Sequence, residues 1–421
     1  MDSISVKGKG FWEFVLFWAS IACFNFGTLF EEYTQIFNFV LVKLMMMLGG
    51  FVAFAVVVRN LNFRTGDRSR LVWLLFYSTL VWCALMFFRS EPAELMNKFN
   101  YMNPYSIIPY LCLLMFFMPV EPMLRSLLAM SKPLNIIFML LFWIPIVLGT
   151  NTTFVQFLLE SFGVGAAFLY ITNRYHPMKH VVFSIVVLLA AFLVATLTGR
   201  RNLMLTFALY LMIGSLLMMV NGKIKNMETK FILVVMAVLT LIGSVAFYLG
   251  ESKGAFSTIT SRAKENTREE VFVAYVIDMA NVKDLSVGRG MLGKYYCPGI
   301  DGDTTEDMAD NEYRKDIECG YLQLILKGGV LLMILYVSLF VIGIRNGLWA
   351  SNQLCKGAAY ILGVQLIDMI AFGLHAFNTK TFMLWMLLAL CLNRSFLQKT
   401  DEEIQNMFYK KKYRLLSWQK K

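Results

Sequence analysis

Arg200 and Arg201, Arg262 and Arg268, and Glu318 are the residues whose types and positions point to chemistry. The first two close an apolar run on the short turn Thr198-Gly199-Arg200-Arg201. Ionisable groups at or inside such runs are expensive and are functional candidates by default. Guanidinium forks bind phosphate oxygens bidentately, so this pair reads as a clamp for a phosphorylated group. The competing reading is two interfacial arginines snorkelling to lipid headgroups. Arg262 and Arg268 lie in a polar segment that reads as a short helix, with Val271, Val273, Ala274 and Ile277 as its apolar face. Six positions apart, they diverge around a helix, so at most one faces a site, and Arg268 is the better placed. Pairing with Glu269 and Glu270 on a solvated face is the alternative. Glu318 stands just before an apolar run. A carboxylate there either favours a helix start or serves as a general base whose pKa partial desolvation raises. Asp368 and His375, seven positions apart, share a helix face, and His375 is the second candidate acid or base. Glu13, Lys43, Glu160 and Lys327 also fall in apolar runs. The two lysines read as snorkelling, and Glu160 has no obvious partner in the sequence.

Metal and redox signals are weak. Asp301-Gly302-Asp303 is a fragment of a calcium loop, without its ordered ligand pattern. Gly288-Arg289-Gly290 is a tight turn lacking the strand that precedes a phosphate loop. The expectation is therefore no metal and no cofactor. The seven cysteines form no CxxC pair. Only Cys297 and Cys319 fall in or beside the long polar segment, where an oxidising compartment would let them pair.

The elements that must position these groups are membrane helices. The chain of 421 residues is 58% hydrophobic and only 16% charged, against about 25% charged for a soluble domain. Its mean hydropathy is +0.59. The net charge of +11 does not point to nucleic acid, because the basic residues sit in short loops between apolar runs, the pattern that orients membrane proteins. A spanning helix needs about 20 apolar residues. Twelve runs qualify approximately: Phe11 to Leu29, Ile36 to Val58, Leu71 to Phe88, Ser106 to Met118, Ile136 to Leu148, Phe154 to Ile171, Val181 to Leu197, Leu203 to Val220, Phe231 to Leu249, Tyr321 to Ile344, Ala359 to Phe377 and Phe382 to Leu392. The expected fold class is all-α and polytopic: helices 1–9 over residues 1–249, an extracytoplasmic loop over 250–320, helices 10–12 over 321–393, and a basic tail over 394–421. Lys7 and Lys9, Arg59 to Arg70, Arg125 and Lys132, Arg174 and Lys179, Lys223 to Lys230, and Arg345 and Lys356 alternate consistently onto one side. That puts both termini in the cytoplasm and the long loop outside. The tail, with Lys410 to Lys412, Tyr413, Leu415, Leu416 and Trp418, reads as an amphipathic anchor or a stop-transfer tail.

Taken together, the twelve spans, the large loop before the tenth, and Glu318-Cys-Gly-Tyr-Leu-Gln-Leu-Ile-Leu-Lys-Gly-Gly329 resemble the O-antigen ligase/polymerase superfamily. The turn Thr198 to Asn202 resembles that family's arginine turn. Arg268 to Val273, followed by Val287-Gly-Arg-Gly290, resembles its loop entry and glycine turn. The resemblance covers roughly residues 180 to 345, and the first six spans match in hydropathy alone. Ligases of the family carry a histidine at the position where this chain has Glu318, so the sequence looks more like the Wzy-type polymerase branch of the bacterial inner membrane. The resemblance implies transfer of a growing glycan from its undecaprenyl-diphosphate carrier to a lipid-linked repeat unit, in membrane lipid and with a chain-length regulator as a candidate partner. In that scheme Arg200, Arg201, Arg268 and Arg262 bind the diphosphate, and Glu318 is the base, with His375 behind it. Tyr296 and Tyr321, with Tyr295, either stack on sugar or pack as apolar side chains. The rivals are an O-antigen ligase, a lipid-linked oligosaccharide flippase or other transporter, and a membrane scaffold.

Overall fold

The computed structural model describes residues 10–37, 40–63, 67–89, 108–148, 152–198, 200–221, 267–297, 312–370 and 377–408. The chain is mostly helical. Among the described residues, eight helical stretches are long and apolar enough to cross a membrane. They are carried by α1 (Phe11–Phe37), α2 (Val40–Asn60), α3 (Arg70–Arg89), α4 (Val120–Leu141) with α5 (Ile144–Leu148), α6 (Thr152–Leu158) continued by α7 (Val164–Ile171), α8 (Met178–Leu197), α9 (Arg201–Val220) and, beyond two short loop helices, Gly320–Leu348. The expected ninth span, Phe231 to Leu249, lies outside the described residues, as do Arg262, His375 and the tail beyond Phe408.

The fourth and fifth spans are corrected. Ile108–Phe117 is a ten-residue 3-10 segment. Arg125 and Lys132, expected in a loop, lie inside the continuous helix α4. Val120, Met123, Leu124, Leu127, Leu128, Leu134 and Phe138 are buried at a spacing of three and four, while Glu121 and Arg125 pair one turn apart along the helix. An average over a window hides such an amphipathic face, which only its 3.6-residue period reveals.

The long loop is folded where it is described. Helices α10 (Thr267–Asp278) and α11 (Val282–Val287) precede a two-residue strand β1 (Tyr295–Tyr296), which pairs antiparallel with β2 (Tyr313–Arg314). Helix α12 (Gly320–Leu348) follows. The expected apolar face of α10 is only half right. Tyr275 and Met279, with Val271 and Ala274, pack on Tyr295, Cys297, Ile317 and Leu326, whereas Val273 and Ile277 are exposed. Cys297 and Cys319 are thiols.

Helix α12 is broken at Gly329, whose φ of 72° and ψ of 179° are not helical. A break leaves the preceding carbonyls without donors, and buried carbonyls must find others. Leu326 O accepts from Arg289 N at 2.8 Å and Lys327 O from Gly290 N at 3.0 Å. Gly328 O accepts from Trp82 Nε1 at 2.6 Å. The loop and α3 thus replace the missing turn of helix. Lys327, expected to snorkel, is buried, and its Nζ donates to Gly293 O and Lys315 O, both at 2.7 Å.

The described residues end on α13 (Gln353–Asp368), α14 (Thr379–Cys391), α15 (Arg394–Leu397) and α16 (Asp401–Phe408). The expected eleventh span to Phe377 stops instead at Asp368, and α14 is only 13 residues long. At about 1.5 Å per residue α14 does not reach across a bilayer core of about 30 Å. It is buried on nearly every side, as the axis of a bundle rather than a lipid-facing span. The residues after it are docked, not free: Arg394 N donates to Asp67 O at 2.7 Å, Asp401 accepts from Tyr175 and Arg174, and Ile404, Met407 and Phe408 are buried. Arg68, read from sequence as one of four loop arginines, stacks at 4.0 Å on the Phe116 ring; burial pulls its pKa down to about 10.

The Gly329 break has no room for a side chain. A Cβ there would lie 2.1 Å from Ser286 O, at a φ that L residues rarely adopt. Strain of this kind costs about 1–3 kcal/mol. Gly329→Ala is expected to lower the thermal unfolding midpoint of the detergent-purified protein by several degrees. Gly363→Ala, whose Cβ would meet nothing within 4 Å, is expected to leave it unchanged. Equal midpoints for the two variants would show that the break is not needed.

Candidate functional site

Three separate segments bring charge into the apolar interior. Helices α6 and α7 are joined by a π turn, Leu159–Gly163, that carries Glu160. Such turns insert one extra residue and re-aim the side chains around it. Asp368 ends α13, and Lys380 is the second residue of α14, behind an Asn378 cap whose side chain accepts from Thr381 N at 2.9 Å. Lys380 Nζ stands 2.9 Å from Glu160 Oε1 and 2.7 Å from Asp368 Oδ2. The other carboxylate oxygens are also served: Asn378 Nδ2 donates to Glu160 Oε2 at 2.9 Å, and Thr206 Oγ1 of α9 to Asp368 Oδ1 at 2.8 Å. All three charged residues are buried. The cluster has one cation and two carboxylates, a formal charge of −1. Sequence spacing set Asp368 beside His375 and left Glu160 without a partner; the fold makes Lys380 the partner of both carboxylates.

The candidate rim lies above this cluster. Arg200 precedes α9 and donates its backbone N to Ala195 O at 2.9 Å, which folds the turn back on α8. Arg201 is the first residue of α9. Thr206 lies five residues on, about 7.5 Å along the helix axis. The next residue after Asp368, Met369, accepts at its carbonyl from Gly320 N at 2.7 Å, and Tyr321 Oη donates to Leu366 O at 2.7 Å. Glu318 is therefore two residues from a direct bond to the end of α13, and it is exposed. Arg268 is the second residue of α10, a helix tied to α12 by Tyr275 Oη, which donates to Leu322 O at 3.0 Å. Through Thr206, Asp368, Met369 and Gly320 the start of α9 and the segment bearing Glu318 are thus bonded to the same end of α13, while Arg268 opens a helix bonded to α12 at Leu322. Tyr321 is partly buried and its hydroxyl is engaged by α13, so it braces this end. Tyr296 is exposed and lies edge-on to Tyr313, with ring centroids 5.4 Å apart.

Arg289 holds the loop together. Its guanidinium meets both Asp278 at the end of α10 and Asp284 in α11 and donates to Lys294 O at 2.9 Å. Burial alone would lower its pKa; the hydrogen bonds and charges of Asp278 and Asp284 outweigh that and hold it above the usual arginine value. Burial pushes the Tyr295 phenol well up, and the neighbouring Glu318 carboxylate adds to the shift. The first turn of α9 offers backbone N–H groups that have no acceptor within the helix, next to two arginines; such ends favour anions. Among the described residues no group of His, Cys, Asp and Glu is placed to hold a metal ion.

Lys380 carries no signal in the sequence because it is one more basic residue beside a short loop, and Arg289 reads there only as part of the tight turn Gly288-Arg289-Gly290. Asn378 preceding Thr379 and Lys380 was a readable helix start, and it would have put Lys380 inside the helix. Removing one partner of a buried ion pair costs about 3–5 kcal/mol, more than removing the pair. Lys380→Met is expected to leave little folded protein by size-exclusion chromatography in detergent. Adding Glu160→Gln and Asp368→Asn is expected to recover much of it. Full yield of Lys380→Met alone would show the triad is not formed.

Neither a scan of protein-family models nor a search of curated proteins finds a match to this chain.

Proposed function

We propose that the protein is a surface-polysaccharide polymerase, a glycosyltransferase of the O-antigen ligase/polymerase superfamily, seated in the bacterial inner membrane with about twelve spans, both termini cytoplasmic and the long loop in the periplasm. An acceptor hydroxyl at the end of a lipid-linked repeat unit attacks the anomeric carbon of the growing chain. The new C–O bond forms as the bond to the undecaprenyl diphosphate breaks, and the hydroxyl proton passes to Glu318. The leaving diphosphate gains negative charge, which fixed cations stabilise; Arg200, Arg201 and Arg268 serve that role, with Arg262 in support. No metal or cofactor takes part. The observation that supports this reading is the run of bonds from Thr206 of α9 to Asp368 of α13, and from Met369 to Gly320, which ties the element carrying the arginine turn and the one after Glu318 to the same end of α13 beside the polar cluster of α9, α13 and α14.

A transporter of lipid-linked oligosaccharide is the second reading, favoured by the buried Glu160–Lys380–Asp368 triad. Ionisable groups inside a membrane bundle also mark ion and proton paths. A polymerase needs the triad only as a foundation, whereas a transporter needs it to change partners during transport.

Deletion of the protein is expected to leave lipid-linked single repeat units, sized after extraction, and no long polymer on a surface-glycan gel. Accumulated long lipid-linked polymer would identify a ligase instead, and repeat units trapped on the cytoplasmic face a transporter. Arg200→Ala, Arg268→Ala and Glu318→Gln are each expected to abolish long polymer at normal protein level. Complete ladders from both arginine variants would remove the clamp, and a complete ladder from Glu318→Gln would remove the base.

A further inference from the structure

Helix α10 is apolar on two opposite faces. One face, with Tyr275 and Met279, is buried against the β pair and α12. On the other, Phe272, Val273, Val276 and Ile277 fall within an arc of about 140° at 100° per residue, and all four are exposed, Ile277 by 71%. Helix α11 continues the stripe with Val282, exposed by 80%, and Leu285. A loop helix in water carries polar groups on its outer face. Here Asp278 and Asp284 are instead drawn to Arg289.

The depth of this stripe is set by α3. The Arg89 guanidinium donates to the carbonyls of Val287 and Gly288, where α11 ends, and Met291 N donates to Met86 O at 3.2 Å. Helix α3 has 20 residues, about 30 Å, which matches the hydrocarbon thickness of a bilayer. Its outward surface stays apolar to the last turn, with Leu85 exposed and Phe88 exposed by 77%. The end of α11 is therefore bonded to the last turn of α3, which sets the exposed stripe of α10 and α11 beside the exposed apolar residues at that end of α3.

We propose that α10 and α11 form an interfacial anchor, with Phe272, Val273, Val276, Ile277, Val282 and Leu285 embedded in the lipid leaflet at the Arg89 end of α3. The exposed Glu270 and Lys283 then lie at headgroup level. The anchor requires only that α3 spans the membrane, and it holds whichever reaction the rim performs. It restricts the loop to the membrane surface, where a lipid-borne substrate is presented.

The test uses full-length protein in phosphatidylcholine vesicles, with an environment-sensitive fluorophore on Ile277→Cys, on Val282→Cys, or on Glu402→Cys of α16 as an exposed polar control. Signal from the parent protein, whose Cys23 and Cys319 are half-buried, is subtracted. Shallow spin-labelled lipid is expected to quench positions 277 and 282 several-fold more than position 402, with blue-shifted emission, while aqueous iodide quenches position 402 most. Iodide quenching of 277 and 282 equal to that of 402 would overturn the anchor. Protection of both from lipid and iodide alike would also overturn it and assign the stripe to a protein contact, a second copy of this chain included. Two reporter positions on exposed side chains keep the result readable if one variant misfolds.

Discussion

One ammonium group shared by two carboxylates holds the candidate end of this bundle in shape. Lys380 reaches Glu160 and Asp368 from a helix that is buried almost all round. An unpaired charge in such surroundings is very costly, so the three groups permit few arrangements of the backbones that carry them. The π turn at Glu160, the end of α13 at Asp368 and the Asn378-capped start of α14 are each the local solution that brings its group to the meeting point. Thr206 adds α9, and with it the turn that bears Arg200 and Arg201.

The second constraint is the accounting of backbone hydrogen bonds at Gly329. Within an apolar layer a broken helix survives only where other donors reach its freed carbonyls. Arg289 N, Gly290 N and Trp82 Nε1 do so here, from two different segments of the chain. The loop is thus part of the bundle, and the short half of α12 between Gly320 and Gly328 joins the loop core to α13. Glu318 sits at the start of this half-helix, so its position depends on the same bonds. The opposite end of the molecule is closed differently, by Asp401 with Tyr175 and Arg174 and by the cap of Asn352, whose Nδ2 donates to Phe396 O and Lys399 O.

Polymerase and transporter make different demands on these parts. Glycosyl transfer at a membrane surface needs a fixed anion grip and a nearby base, and gains from a loop that rides on the lipid. Transport needs a buried polar group that changes partners. In this structure all four carboxylate oxygens of the triad are engaged.

Much was legible in the sequence alone, and for identifiable reasons. Apolar runs of about 20 residues place the long helices, because each must satisfy its own backbone in lipid; α8 and α9 match their expected ranges closely. The polarity of Thr198 to Asn202 and of residues 250–320 is equally plain in the sequence, since polarity stands out against such a background. Amphipathic α4, the short buried α14 and the break in α12 were not, because their length and direction answer to neighbours distant in the chain. The sequence by itself determined a mostly helical membrane chain with Arg200 and Arg201 where one apolar run gives way to the next. Only the tertiary structure decided which charges meet, because Glu160 and Lys380 are 220 positions apart and pair through packing that no local pattern encodes.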